Sequence, residues 1–365
     1  MHLVELLALR AVPAAGISLG ITRRCPLNCS HCSTSSTMES EQSPSELFLN
    51  FVHSFSIENH PQFMAMSGGE ALLRPRLVRS LALKARLSGT RSSVLSGMFF
   101  AREGKIPKLV ESAIDAVDHF SASIDVFHEK EVPRTQVFKV LRKLIDSGKD
   151  LSLHIVGADA DDPYLENIVG DVQKNFGQRI PMIVNTLSPF GRAKSFLKKN
   201  SKSDSDPDSA DANPCTMAAW PVVGFDGVVA ACGNDNLIGH VPSHLKLGDI
   251  HTDDWPTIQA RCLQSSMPRA LRIFGPQYIQ AKFGVAGKSS LPIRKLGCDG
   301  YCDTCIRMDH DETVQKSVKT YMELHATSAL EKTVIDLQGE MGPVAFANRY
   351  SHPRFANLVM LGARV

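Results

Sequence analysis

Cys25-Pro26-Leu27-Asn28-Cys29-Ser30-His31-Cys32 is the stretch that decides how this chain is read. Its three thiols are too close together for scattered core cysteines and too few to saturate a metal centre. A [4Fe-4S] cluster is held by four thiolates, so a loop that supplies three leaves one iron open to a ligand that is not protein. A Cys3His zinc site completed by His31 is the competing reading. His31 and Cys32 are adjacent, however, and neighbouring side chains rarely converge on one tetrahedral ion. A disulfide with a spare thiol is the other alternative.

Upstream, Gly16-Ile17-Ser18-Leu19-Gly20-Ile21-Thr22 reads as a buried strand that runs straight into the cysteine loop. Parallel α/β sheets place their chemistry at such C-terminal strand ends. Downstream, Ser43 with Pro44 and Glu46 predicts a helix start with a capping box. A second strand, Gln62 to Met66, ends in Ser67-Gly68-Gly69-Glu70, where two glycines permit close approach to the backbone and Glu70 offers an acceptor. Strand and helix patterns then alternate to Asn185: strands at Ser92–Leu95, His119–Asp125, Leu151–Val156 and Ile180–Asn185, helices at Arg74–Leu87, Ile106–Ile114, Arg134–Ser147 and Tyr164–Asn175. That alternation predicts an α/β fold with a parallel sheet of about six β/α units, short of a full barrel.

Composition narrows the class further. The 365 residues, 43% hydrophobic and 21% charged, are those of a globular protein of about two domains. A net charge of +2 leaves no basic footprint for nucleic acid. No apolar run is long enough to span a membrane. Met1 to Gly16 is apolar but interrupted by Glu5 and Arg10, without a basic n-region, and is not read as a signal peptide. Nine clustered cysteines without a signal read as metal ligands in a reducing cytoplasm.

CxxxCxxC followed one β/α unit later by Gly-Gly-Glu resembles the radical SAM superfamily. The resemblance implies a partial (β/α)6 TIM-like barrel, with a [4Fe-4S] cluster on Cys25, Cys29 and Cys32 whose open iron binds S-adenosylmethionine. It also implies that Gly68, Gly69 and Glu70 bind the amino group of that cofactor. Ser123 and Asp125 match a Ser-x-Asp at the end of the fourth strand, and Arg134 matches an arginine that clamps the cofactor's carboxylate, against the bland reading of a solvated helix residue. His31 is counted with the same cofactor-binding set.

Asn200 to Asn213 is polar and without apolar period, a linker. Beyond it, Val222 to Val229 reads as a β-hairpin around Asp226-Gly227, which brings Cys215 and Cys232 together. Cys302 and Cys305 add a CxxC pair. This part resembles the Twitch/SPASM extension of radical SAM enzymes, in its shorter form with one auxiliary [4Fe-4S] cluster. Four thiolates, Cys215, Cys232, Cys302 and Cys305, would hold it, with Cys298 an alternative ligand. Cys262 falls in a predicted helix, Trp255 to Gln264, and reads as a small core side chain. The sharper reading makes Cys262 or Cys298 a hydrogen-atom donor to a substrate radical. His310, His325 and His352 in the helical tail read as surface or packing residues.

The expected division is a barrel over 1–199, a linker over 200–213, a small β-hairpin-plus-helix cluster domain over 214–310 and a helical tail over 311–365. The resemblance implies a cytoplasmic oxidoreductase that modifies a ribosomally made peptide, oxidatively or by epimerisation. Reduction by a flavodoxin or ferredoxin is expected. No leader-binding domain is expected before the first strand, which weighs against a peptide without refuting it; a separate leader-binding protein or the helical tail is the expected substitute. The alternatives are oxidation of a small natural-product intermediate such as an aminocyclitol, and a non-catalytic iron-sulfur protein.

Overall fold

The computed structural model describes residues 1–197, 211–237, 239–284 and 301–363. After helix α1 (Leu3–Leu9), strands β1 (Gly16–Gly20), β2 (Phe63–Ser67), β3 (Arg91–Ser96), β4 (His119–Asp125), β5 (Leu151–Gly157) and β6 (Met182–Thr186) alternate with helices. Those helices are α2 (Ser45–His53), α3 (Pro75–Leu87), α4 (Lys108–Ala116), α5 (Val126–Glu129), α6 (Arg134–Asp146) and α7 (Pro163–Phe176). Every pairing from β1 to β6 is parallel. Parallel neighbours need a crossover, and the helices supply it. The result is the partial barrel that the alternation predicts.

Register separates two faces. Ile17, Leu19, Met64, Met66, Phe120 and Ile155 are fully or almost fully buried. They cover one face, where the apolar stripes of helices such as α3 (Leu77, Val78, Leu81, Ala82, Ala85) are also buried. The opposite face aligns Ser18 with Ala65 and Ser93, Leu95 with Ser121 and Ser152, and Ser123 with His154. A row of hydroxyls and imidazoles marks this as the inner face, and its strand tips hold Ser67, Gly97 and Asp125.

Two expectations need correction. The capping box at Ser43 and Glu46 does not form: α2 begins at Ser45 with Pro44 as its N-cap and no side-chain cap bond. The hairpin also joins the barrel sheet instead of standing apart from it. β7 (Val222–Val223) pairs in parallel with β1 at Ser18 and Leu19. β8 (Val228–Ala230) and β9 (Lys246–Asp249) then continue the same sheet antiparallel, in the order β6-β5-β4-β3-β2-β1-β7-β8-β9. An open barrel leaves the outer edge of β1 with unpaired backbone groups, and β7 satisfies them. Trp220, just before β7, covers the start of β1 so closely that a Cβ on Gly16 would fall 2.5 Å from its ring.

The remaining helices are α8 (Trp255–Gln264), α9 (Ser266–Phe283), α10 (Tyr301–Arg307), α11 (Glu312–Met322) and α12 (His325–Tyr350). Both α9 and α12 kink at a Gly-Pro pair, Gly275-Pro276 and Gly342-Pro343, where the glycine has positive φ and the proline removes a helical donor. Leu3 and Leu7 of α1 are buried against Ala347, Ala356 and Val359, so the tail returns to the N-terminus. No described helix is long and apolar enough to cross a membrane. Most of the 200–213 linker, and Cys298, lie outside the described residues.

Candidate active site

The cysteine loop hangs from the end of β1 and is held by backbone bonds, Cys25 N to Thr37 O at 3.0 Å and Cys32 N to Cys29 O at 3.1 Å. Burial and the nearby charges of Glu70, Cys32 and Cys29 push the Cys25 thiol up to about 12. Burial acts on Cys32 too, but there the Thr34 hydroxyl at 3.3 Å, the N–H groups of Ser36 and Thr34, and the Arg192 charge outweigh it and lower the pKa. Arg192, beyond β6, donates from Nε and Nη2 to Cys29 O at 2.9 and 2.7 Å and from Nη1 to Ser36 O at 2.8 Å. Gly191 before it has φ +50, and a Cβ there would lie 2.2 Å from Ser33 O. The Gly191-Arg192 pair therefore clasps the cysteine loop, a role that sequence reading missed.

Gly68 and Gly69 meet the same loop from the other side. Gly69 N donates to Thr22 O at 2.8 Å and Glu70 N to Arg24 O at 2.9 Å. A Cβ on Gly68, whose φ is +146, would sit 2.1 Å from Thr22 O. The glycines thus admit the chain's own loop, and the strand tip is fastened to it. The Glu70 carboxylate is buried and accepts from Leu72 N at 2.9 Å, Ser96 Oγ at 3.1 Å and Gly97 N at 2.9 Å. Burial outweighs those bonds and pushes its pKa up to about 7. Two carboxylate oxygens offer about four acceptor positions, so one remains for an ammonium group.

At the tip of β4, Asp125 caps α5 by accepting from the N–H groups of Phe127 and His128, both at 2.9 Å. The same carboxylate lies 2.6 Å from His128 Nδ1 and 3.3 Å from His31 Nε2. Burial alone would raise Asp125 and lower His128. The charge of each partner reverses both shifts, holding Asp125 well below the usual carboxylate range and taking His128 up to about 10, with the Cys29 sulfur adding to the latter. The His31 ring stacks on Phe127 at 4.5 Å. His128 and Phe127 are absent from the sequence-derived set, although the i,i+3 spacing of His128 from Asp125 was the available signal.

Ser123 is half-buried on the inner face beside His154, whose imidazole burial pushes down to about 4. Arg134 is committed elsewhere. It donates to Glu129 at 2.7 Å, Asn167 at 2.8 Å and Asp171 at 2.5 Å. A carboxylate clamp at Arg134 has to compete with two ion pairs.

Among the described residues, only Cys29, His31 and His128 bring ligand atoms within 4.8 Å of one another. Cys25, Cys29 and Cys32 as a set do not, a spread that suits a cluster of several irons better than one ion with bonds of about 2.3 Å. His31 Nε2 and His128 Nδ1 are turned to Asp125, while His31 Nδ1 is buried without a hydrogen bond. The loop fits a cluster. Residues 19–171 match the family model described as the Radical SAM superfamily.

This part of the chain is a radical SAM domain.

Such a domain works with a [4Fe-4S] cluster and S-adenosylmethionine. No curated protein matches the chain. Among solved structures, Streptococcus suis SuiB bound to precursor peptide SuiA is similar at TM-score 0.51 and 11% identity, covering 75% of this chain and 70% of that one. SuiB bound to S-adenosylmethionine gives TM-score 0.49 at 11% identity over 74% of each chain. Native anSMEcpe with bound AdoMet and Cp18Cys peptide gives 0.45 at 12% identity over 88% and 99%. The first likeness is one of fold, and it extends well past residue 171.

Beyond the radical SAM domain, Cys215, Cys232, Cys302 and Cys305 gather around one place. Burial pushes the Cys232 thiol up to about 12, with Cys215 and Cys302 adding. Cys305 is raised well above its ordinary value by burial and by Cys232, Cys215 and Cys302, and Cys302 by burial and Cys215. Cys262 is fully buried, its thiol donating weakly to Ala219 O at 3.5 Å. That burial corrects the hydrogen-donor expectation for Cys262, since a donor must face the substrate. A cavity of about 300 Å³ is lined by Thr22, Gly68 and Gly69 of the radical SAM domain and by Val222, Phe225 and Cys232 of the hairpin region.

Proposed function

We propose that this protein is a radical enzyme that takes a hydrogen atom from a ribosomally made peptide held between its two cysteine sites. The cavity that runs from Gly68-Gly69 to Cys232 carries the reading, because a substrate there lies between the radical SAM domain and the C-terminal thiols. When bound, S-adenosylmethionine supplies on reductive cleavage the 5'-deoxyadenosyl radical that abstracts hydrogen. The chain's part is to hold and shield. Cys25, Cys29 and Cys32 bind the cluster, Glu70 receives the cofactor's ammonium, and Ser123, Asp125 and His31 line the strand tips around it. Cys215, Cys232, Cys302 and Cys305 hold a second [4Fe-4S] cluster as an electron acceptor, which favours a net oxidation such as cross-linking over epimerisation.

Two observations support a peptide. Gly20, Gly68, Gly69, Gly224 and Gly233 line the cavity, and a wall without side chains leaves room for an extended chain. SuiB, whose fold is similar, binds a precursor peptide. The cavity's volume favours a second reading, since about 300 Å³ is at the small end for ligand pockets and suits an aminocyclitol-sized molecule. A cytoplasmic flavodoxin or ferredoxin is the proposed reductant.

Iron and sulfide content of anaerobically reconstituted protein tests the core of this reading. About eight irons in the wild type and about four in the Cys25/Cys29/Cys32 triple alanine variant, with 5'-deoxyadenosine formed only by the wild type, is the expected result. Four irons in the wild type remove the second cluster; none removes the radical chemistry.

A further inference from the structure

Arg10 is one of the two charged residues that interrupt the apolar N-terminal stretch, and it caps α1 at its C-terminal end. The residue as a whole is half-buried, and its Nη1 is shut off from solvent. Nη1 has no hydrogen-bond partner among the described residues, and Nη2 meets only the sulfur of Met217 at 3.4 Å. The guanidinium lies over the Trp220 ring, 4.7 Å from its centre, and no described carboxylate pairs with it. The acidic groups that act on it are the Cys232 and Cys215 thiols and Tyr350.

A buried cation without an anion is strongly unfavourable, and an aromatic face offsets only part of that cost. A protonated thiol supplies no anion either. Thiolates on an iron-sulfur cluster do supply one. Another unmatched polar atom lies beside the site: Thr216 Oγ1, next to Cys215 in the chain, is buried without a hydrogen bond.

We propose that Arg10 is the charge partner of the cluster held by Cys215, Cys232, Cys302 and Cys305, and that its positive charge sets that cluster's reduction potential. This rests on the four-cysteine reading above. A cation beside the site favours its more negative, reduced state, because cluster potentials follow net charge and the hydrogen bonds to sulfur. Arg10 is a positioning and tuning residue and touches no substrate.

The test uses the full chain with Cys25, Cys29 and Cys32 changed to alanine, so that only the C-terminal site holds iron. Arg10→Met and Arg10→Lys are added to that background, and each is reconstituted and titrated electrochemically under electron paramagnetic resonance. Arg10→Met is expected to lower the reduced-to-oxidised ratio at a fixed potential about tenfold, roughly 59 mV for a one-electron couple. Arg10→Lys is expected to restore it. Loss of iron in Arg10→Met but not in Arg10→Lys, with an unchanged melting temperature, also supports the proposal. Should Arg10→Met not fold, Arg10→Gln carries the same comparison. A neutral variant that keeps its iron and its potential overturns the role of Arg10. No iron in the parent triple variant overturns the four-cysteine reading itself, whatever Arg10 does.

Discussion

One oxygen of Asp125 holds two imidazoles, His128 Nδ1 at 2.6 Å and His31 Nε2 at 3.3 Å, and so ties the cysteine loop to the tip of β4. Because the carboxylate is fully buried, Asp125→Asn leaves an uncompensated charge on His128, and breaking a buried pair in this way costs about 3–5 kcal/mol. The sign with pH follows from the shifts. Asp125 is depressed, so its contribution is present above about 4 and is lost as pH falls; His128 is raised from 6.5 to about 10, so its contribution is full below 6.5 and is lost as pH rises toward 10. Urea titrations of wild type and Asp125→Asn should therefore differ most between about pH 4 and 6.5 and converge by pH 10. A gap that does not change over that range would remove the charged pair from the account.

Arg192 makes three guanidinium bonds to the carbonyls of Cys29 and Ser36. Lysine keeps the charge and loses the planar fork. Arg192→Lys should lower iron retained after reconstitution, and stability should fall by about 1.5–3 kcal/mol, the range for hydrogen bonds to charged groups. Iron at wild-type level together with an unshifted urea midpoint would mean that the clasp is not needed.

Much of the barrel was legible because its signals are local. CxxxCxxC and Gly-Gly-Glu are contiguous, and strand and helix periods in residues 16–186 are read within short windows. What the sequence did not reveal joins distant segments. Nothing in Val222-Val223 says that its partner is β1, since a two-residue strand has almost no pattern and its pairing depends on an edge left bare by an open barrel. Arg192 reaching Cys29 is likewise a contact that only the folded chain makes. Gly68 and Gly69 were read as places where a ligand approaches the backbone, and in the folded chain the carbonyls of Thr22, Arg23 and Arg24 lie against them.

Two glycine substitutions should have opposite signs. A Cβ on Gly69 would lie 2.5 Å from the carbonyl oxygens of Arg23 and Arg24, so Gly69→Ala forces backbone apart and should destabilise by about 1–3 kcal/mol. Gly170 is exposed inside α7 with nothing within 4 Å of the added Cβ, and Gly170→Ala should stabilise by about 1 kcal/mol. Denaturant midpoints moving in the same direction for both would show that backbone freedom, not the contact with the cysteine loop, governs Gly69.

Glu70 gives the site its own pH dependence near neutrality. Its pKa is 4.5 in the unfolded chain and about 7 when buried at the end of β2. Across that interval the native state holds a proton that the unfolded state has released, so stability falls as pH rises from about 4.5 to 7. Glu70→Gln removes this slope while adding a constant loss, because the Gln amide accepts fewer of the bonds that Leu72, Ser96 and Gly97 now donate. If the cofactor's ammonium binds this carboxylate, as proposed, it favours the ionised form and lowers the pKa again. Binding of S-adenosylmethionine at pH 6.5 should therefore release protons and tighten as pH rises toward 7.5. Calorimetry in two buffers of different ionisation enthalpy measures that release, which should vanish in Glu70→Gln; equal release in both proteins would move the ammonium away from Glu70 and leave the carboxylate a purely structural link between β2 and β3.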